Sequence, residues 1–155
     1  THCISSAASD VYKRQVAPTE KNETATGEQQ VENLKIQMKI IDMIEYALPL
    51  IERWSVPHQK LLGDKIALCM EEMLELANEL EWAYSKKTPH KNLDMKNKAL
   101  QDFITLAYRL KYLKGSSSHA EWTRRSKEIG SMLGGYKKWL YEDTPPKNKK
   151  GYQPR

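Results

Sequence analysis

Apolar residues recur every three or four positions along most of the chain after residue 30, which is the spacing of amphipathic helices. The first such segment runs from about Val31 to Trp54. Its expected core-facing stripe consists of Leu34, Met38, Ile41, Ile44, Leu48 and Ile51. Pro49 should kink this helix or end it early, because proline cannot donate the backbone hydrogen bond.

Two further segments keep the same period. The second runs from about His58 to Tyr84, with the stripe Leu62, Ile66, Cys69, Met70, Met73, Ala77, Leu80 and Tyr84. The third runs from about Asn92 to Lys114, with the stripe Leu93, Lys96, Leu100, Phe103, Ala107, Leu110 and Leu113. The connection between them is expected at residues 85–91, which include Pro89.

The fourth segment runs from about His119 to Tyr141, after the break formed by residues 115–118. Ser118 is expected to be its N-cap, and Glu121 to complete a capping box. Four amphipathic helices joined by short breaks predict an all-α fold, an antiparallel up-down-up-down four-helix bundle over residues 31–141. Such a bundle could assemble into a ring or barrel.

Three glycines interrupt the apolar pattern of the fourth segment, although each interior glycine costs about 1 kcal/mol relative to alanine. Gly130 and Gly134 share one side and could form a groove for a neighbouring helix or subunit. Alternatively, Gly134 and Gly135 end the helix as a C-cap. Trp82 and Trp139 belong either to the edge of the core or to an oligomer interface. We assign all five residues to helix or subunit packing.

Composition separates the two ends from the helical region. Residues 1–30 are rich in Ser, Thr, Ala, Glu and Gln, and we expect them to form a disordered leader. Residues 1–15 resemble a translated sequencing adapter and are interpreted as a non-native artefact. Residues 142–155 are expected to form a basic, flexible tail. Two cysteines and no long apolar run favour a reducing cytoplasm and no membrane span.

The formal net charge is +5, and the basic residues concentrate in the second half of the chain. If the third and fourth helices are antiparallel, the end of one lies beside the start of the other. The basic residues expected to bind nucleic acid are Arg109, Lys111, Lys114, Arg124, Arg125, Lys127, Lys137 and Lys138. A clustered cationic surface of this kind binds phosphate backbones without reading sequence.

An acidic run on the second helix suggests a competing enzymatic interpretation. Glu71, Glu72 and Glu75 have the EExxE spacing that holds Mg²⁺ in all-α nucleotide pyrophosphohydrolases. The partner motif on the third helix would use Asp102, but position 99 is alanine where that motif requires glutamate. The alternative is a solvated helix face paired with lysines. We therefore expect a non-enzyme with no metal and no cofactor.

The segment Glu128-Ile129-Gly130-Ser131-Met132-Leu133-Gly134-Gly135-Tyr136-Lys137 resembles a signature of the accessory variability determinant (Avd) proteins of diversity-generating retroelements. Further similar segments are Tyr46-Ala47-Leu48-Pro49 and Leu106-Ala107-Tyr108-Arg109-Leu110, and the resemblance spans about residues 34–140. Ser131 departs from the family, which often carries arginine at that position.

This resemblance implies a four-helix bundle that assembles into a homopentamer. It also implies a basic surface that binds RNA or DNA, association with a reverse transcriptase, and support of mutagenic cDNA synthesis primed on the template RNA, without catalysis by this subunit. The four-helix proteins encoded in ribosomal-RNA intervening sequences are the second resemblance. Their Ile-Pro-Ala-Asn-Ile-Ala-Glu-Gly-type segment is missing from this chain.

Overall fold

The computed structural model describes residues 23–142, which form helices and contain no strand. Helix α1 is Glu23–Ile51. Helix α2 is Asp64–Trp82, preceded without a break by the α-helical turn Val56–His58 and the π-helical turn Gln59–Gly63. Helix α3 is Lys87–Arg109 and α4 is Gly115–Glu142. The described residues from Asn33 onward belong to one compact unit, and those before Asn33 are grouped apart.

Several predicted boundaries are wrong. Helix α1 begins at Glu23, inside the segment predicted to be disordered; the rest of the predicted leader, and the tail from residue 143, lie outside the described residues. Pro89 lies in the first turn of α3, where backbone N–H groups have no partner within the helix, so proline is tolerated there. Ser118 is not an N-cap, because α4 already begins at Gly115.

The core of α2 follows the prediction, whereas that of α1 follows it only in part. Of the predicted α1 stripe, Ile51 is buried, and Ile44 and Leu48 are partly buried against the core. On α2 the predicted apolar residues from Leu62 to Leu80 are buried, but Tyr84 is exposed beyond the end of the helix. On α1 the buried residues are Asn33, Ile36, Ile40, Met43, Ala47 and Ile51. Leu34 and Met38, predicted to face the core, are 57% and 49% exposed. Helix α1 therefore carries a second apolar face outside the core.

Each helix contacts the next one along the chain. The Gln37 side-chain amide, in the middle of α1, donates to the Ala77 carbonyl oxygen (3.4 Å) in the second half of α2. The Lys96 ammonium group on α3 pairs with the Glu72 carboxylate on α2. Between α3 and α4, the Asn97 side-chain amide donates to the Ser126 carbonyl oxygen at 3.1 Å. These contacts hold α2 between α1 and α3, and α3 beside α4.

Helix α4 also returns to α1. The Lys39 ammonium nitrogen lies 2.9 Å from a carboxylate oxygen of Glu128. The ring of Tyr46 meets the ring of Trp122 edge to face, with 6.0 Å between centroids. Trp122 is fully buried, so α4 closes the core against α1. No helix within residues 23–142 is long and apolar enough to span a bilayer.

Gly63, the last residue of the π-helical turn before α2, has the least room for a side chain of the glycines described. A Cβ added there would sit 2.7 Å from Cγ2 of Ile51, which is buried. We expect Gly63→Ala to lower the free energy of unfolding by about 1–3 kcal/mol, because overpacking forces neighbouring side chains to shift. Urea denaturation would measure the loss.

Gly134→Ala is the matched control for this substitution. A Cβ at Gly134 would meet nothing within 4 Å inside the protomer, and the position is helical. Alanine should therefore leave stability unchanged or raise it by about 1 kcal/mol through helix propensity. Equal destabilisation by the two substitutions would contradict the packing argument for Gly63.

Candidate functional site

Three of the predicted basic residues line one groove at the connection between α3 and α4. Arg109, Lys111 and Lys114 are exposed, and the groove has a volume of about 550 Å³. Its remaining lining residues are Tyr108, Leu113, Gly115 and Ser116. None of the three cations forms an ion pair with a carboxylate of residues 23–142. We call these three residues and their groove the cationic groove.

The backbone places Lys111 in this groove through a Schellman motif at the end of α3. The Tyr112 N–H donates to the Ala107 carbonyl at 2.9 Å, and the Lys111 N–H donates to the Tyr108 carbonyl at 3.0 Å. Lys111 has φ 62°, and it is the one described non-glycine residue with positive φ. Glycine is the usual residue at this position of the motif, so the lysine is held in a costly backbone conformation.

Arg124 and Arg125 do not extend the cationic groove as free charges. Arg124 pairs with both oxygens of Glu121 at 2.8 and 2.9 Å and with Glu128 at 3.3 Å. Arg125 Nε donates to Glu121 at 2.8 Å, and its guanidinium lies 4.3 Å from the centre of the Tyr46 ring. Hydrogen bonds from these arginines lower the pKa of Glu121 to about 2, and the hydrogen bond from Arg124 is the largest cause.

The remaining predicted basic residues lie elsewhere on α4. Lys127, Lys137 and Lys138 are exposed and make no ion pair with the described carboxylates, but none of them lines the cationic groove. Lys137 and Lys138 belong to the C-terminal part of α4, whereas the groove includes its first residues. The structure therefore divides the predicted basic surface into a groove, an ion-paired cluster and separate lysines.

The three glycines assigned to packing differ in their surroundings. A Cβ at Gly130 would lie 3.1 Å from the Asn97 amide nitrogen, so this glycine makes room for α3 within the protomer. Gly134 and Gly135 are exposed, with open space where a Cβ would be. The C-cap alternative is wrong, because α4 continues to Glu142.

The two candidate packing tryptophans differ in their surroundings. Trp82 is 82% exposed at the end of α2, so it is not at the edge of the protomer core. Trp139 is partly buried, packs against the core, and its ring centroid lies 5.6 Å from that of Tyr136. Trp139 therefore belongs to the core edge, and Trp82 remains available for contact with another molecule.

The acidic run on α2 borders a groove of about 520 Å³ between α2 and α3. Glu72 and Glu75 line it, but Asp102 does not. The Lys96 ammonium group lies against Glu72 and satisfies the carboxylate with a positive charge. In the part of the chain that is described, no three His, Cys, Asp or Glu side chains are grouped so that they could hold a metal ion.

An aromatic cavity beside the cationic groove was not anticipated from the sequence. It has a volume of about 290 Å³ and is lined by Leu50, Arg53, Trp54, Tyr112, Leu113, Lys114 and Ser118. The rings of Trp54 and Tyr112 pack edge to face at 5.5 Å, and His58 stacks on Tyr112 at 3.8 Å. Residues from three separate segments form it, and helical periodicity reports only on neighbours within one helix.

Comparison with known proteins identifies the family of the chain. No curated protein and no solved structure shows significant similarity to the chain. A sequence profile described as bAvd-like matches residues 34–140. The matched region includes most of α1, all of α2 and α3, and α4 nearly to its end. The resemblance to accessory variability determinant proteins is thereby confirmed, and the chain belongs to the bAvd-like family.

Proposed function

We propose that this protein is a non-catalytic, nucleic-acid-binding accessory subunit of a diversity-generating retroelement reverse transcriptase, acting in the cytoplasm. The observation that carries the binding part of the proposal is the cationic groove, in which Arg109, Lys111 and Lys114 have no acidic partner among the described residues. Family membership supports the association with the retroelement. The enzyme would supply the chemistry, and this subunit would hold the RNA.

The physical basis of binding is electrostatic. Lysine and arginine side chains that neutralise phosphates release condensed counterions, and this release drives association without reading the base sequence. Arginine can also hold a phosphate with two parallel hydrogen bonds. Three exposed cations in one groove therefore suit a phosphate backbone better than the arginines already paired with Glu121.

The proposed role in the retroelement follows from this binding. By holding the template RNA near the polymerase, the subunit would support template-RNA-primed, mutagenic cDNA synthesis. A protein of the ribosomal-RNA intervening-sequence type is an alternative that shares the four-helix fold. The pyrophosphohydrolase alternative is less favoured, because Lys96 occupies the Glu72 carboxylate that would have to hold the metal.

A salt titration tests the binding. The full chain should bind single-stranded RNA in a fluorescence anisotropy assay, and the logarithm of the association constant should fall linearly with the logarithm of salt concentration. A slope of about −2 to −3 is expected if three phosphates are neutralised at about 0.7–0.9 counterions each. An affinity that does not change with salt would refute the electrostatic mechanism.

We further propose that the four helices run up-down-up-down and that the bundles assemble into a ring, by family resemblance a homopentamer. Pairs of contacts support the antiparallel order. Along α1, Gln37 meets Ala77 and the later Ile51 meets the earlier Gly63. Likewise Lys39 meets Glu128 of α4, and the later Tyr46 meets the earlier Trp122. Leu34 and Met38 on the exposed apolar face of α1 support the assembly, with Ile41 continuing the face at half burial. An exposed apolar face of this kind usually marks a contact with another molecule.

Charged substitutions on this face test the assembly. We expect the double variant Leu34→Lys and Met38→Lys to be a monomer by multi-angle light scattering, because lysines in a closed apolar interface would lose their hydration. The fold should survive, since both side chains lie outside the core. Val56→Lys together with Leu61→Lys, exposed apolar residues before α2, is the matched control. A double variant that assembles like the wild type would exclude this interface.

Lys111→Gly separates stability from binding. Glycine relieves the left-handed backbone at φ 62°, so the free energy of unfolding should rise by about 1 kcal/mol. The same substitution removes one cation from the groove, so RNA affinity should fall and the salt slope should become shallower by about one. Thermal denaturation and the salt titration measure the two effects. Unchanged affinity with raised stability would place Lys111 outside the binding surface.

A further inference from the structure

The aromatic cavity and the cationic groove are neighbours. Leu113 and Lys114 line both of them. The cavity adds a second cation, Arg53, which is exposed and has no carboxylate partner among residues 23–142. A strand with phosphates in the groove would pass the mouth of the cavity.

The lining of the cavity suits a flat, mostly apolar group with polar edges. Trp54 and Tyr112 provide aromatic surface, and Leu50 and Leu113 provide aliphatic surface. The stack of His58 on Tyr112 holds that ring in place before any ligand binds, so binding would not have to order it. The hydroxyl of Ser118, another lining residue, can both donate and accept a hydrogen bond.

Unpaired nucleobases have this chemistry, and they are attached to the phosphates that the groove attracts. Proteins that hold single strands commonly combine a cationic track with aromatic side chains on which bases stack. We propose that the aromatic cavity binds one unpaired nucleobase of a single-stranded segment, while the adjoining phosphates lie in the cationic groove. The proposal rests on the nucleic-acid binding proposed above and adds a preference for single strands over duplexes.

Strands with and without bases test the proposal. The probes are a short oligouridine, its oligothymidine counterpart, and a strand of the same length with abasic nucleotides. Wild-type protein should bind the strands with bases at least about fivefold more tightly than the abasic strand, the lower end of what stacking of one base contributes. Comparison of oligouridine with oligothymidine shows whether the source is RNA or DNA.

Two variants locate the effect. Tyr112→Leu removes the ring, and Ser118→Leu fills the cavity while leaving both rings in place. Each should abolish the preference for strands with bases and leave the affinity for the abasic strand and its salt slope unchanged. Tyr112→Phe retains the ring and should keep the preference. Circular dichroism melts verify that each variant is folded.

The outcomes separate this inference from the proposed function. If the abasic strand binds with the expected salt dependence but bases add nothing, the cavity proposal is overturned and the electrostatic binding stands. If Tyr112→Leu and Ser118→Leu weaken all strands equally, the cavity is likewise not a base site. If no strand binds, both proposals fail together.

Discussion

Replacement of Trp122 by alanine is expected to lower the free energy of unfolding by about 3–5 kcal/mol. The Trp122 side chain is 0% exposed at the contact of α4 with α1. Its ring stacks on Trp54 at 6.5 Å and meets Tyr46 at 6.0 Å. Truncation would leave a large cavity among rings that cannot collapse into it, so both transfer energy and packing contacts are lost.

Urea denaturation at a fixed protein concentration measures this loss. Trp122→Phe is the matched control, because it keeps an aromatic ring and removes the indole N–H, which has no hydrogen-bond partner in the structure. The phenylalanine variant should therefore lose much less stability than the alanine variant. A loss below about 1 kcal/mol for Trp122→Ala would show that the contact of α4 with α1 contributes little.

The four helices could be predicted because apolar periodicity reports directly on the element that carries it. The buried residues of α2 were predicted from Leu62 to Leu80, since the opposite face of this helix is rich in glutamate. Helix α1 is less clear, because it carries two apolar stripes: Leu34 and Met38 lie on one, while Ile36 and Ile40 lie on another. Periodicity alone cannot decide which of two apolar stripes faces the protomer's own core.

The predicted start of α4 was wrong for a local reason. Ser118 and Glu121 have the spacing of a capping box, but the Glu121 carboxylate binds Arg124 and Arg125 on its own helix. An ion pair with two guanidinium groups competes with one backbone N–H as the partner of that carboxylate. Helix α4 begins at Gly115, three residues before Ser118, so the serine lies inside the helix and cannot be its N-cap.

The ion pairs that distinguish Arg124 and Arg125 from the other basic residues could be inferred from the sequence. Glu121 stands three and four positions before Arg124 and Arg125, and these are spacings at which helical side chains meet. The aromatic cavity was not readable, because Trp54, Tyr112 and Ser118 come from separate segments. Local ion pairs can thus be inferred from spacing along one helix, whereas a cavity between elements requires their placement in three dimensions.

Neutralising the cationic groove is expected to have the largest effect on binding. The variant with Arg109, Lys111 and Lys114 all replaced by glutamine should bind RNA about a hundredfold more weakly at roughly 0.1 M salt, because three phosphates would no longer release counterions. The salt slope should become shallower by about 2–3. The fold should persist, since all three side chains are exposed and make no ion pair with the described carboxylates.

The matched control carries the same change of charge outside the groove. Glutamine at Lys127, Lys137 and Lys138 also removes three exposed cations, but none of them lines the groove. Binding that depends on overall charge would be weakened equally by the two triple variants. Binding in the cationic groove would be weakened much more by the first, because counterions are released only where phosphates are held. Equal losses would therefore move the binding surface away from the connection between α3 and α4 and leave only the net charge of +5 as its cause.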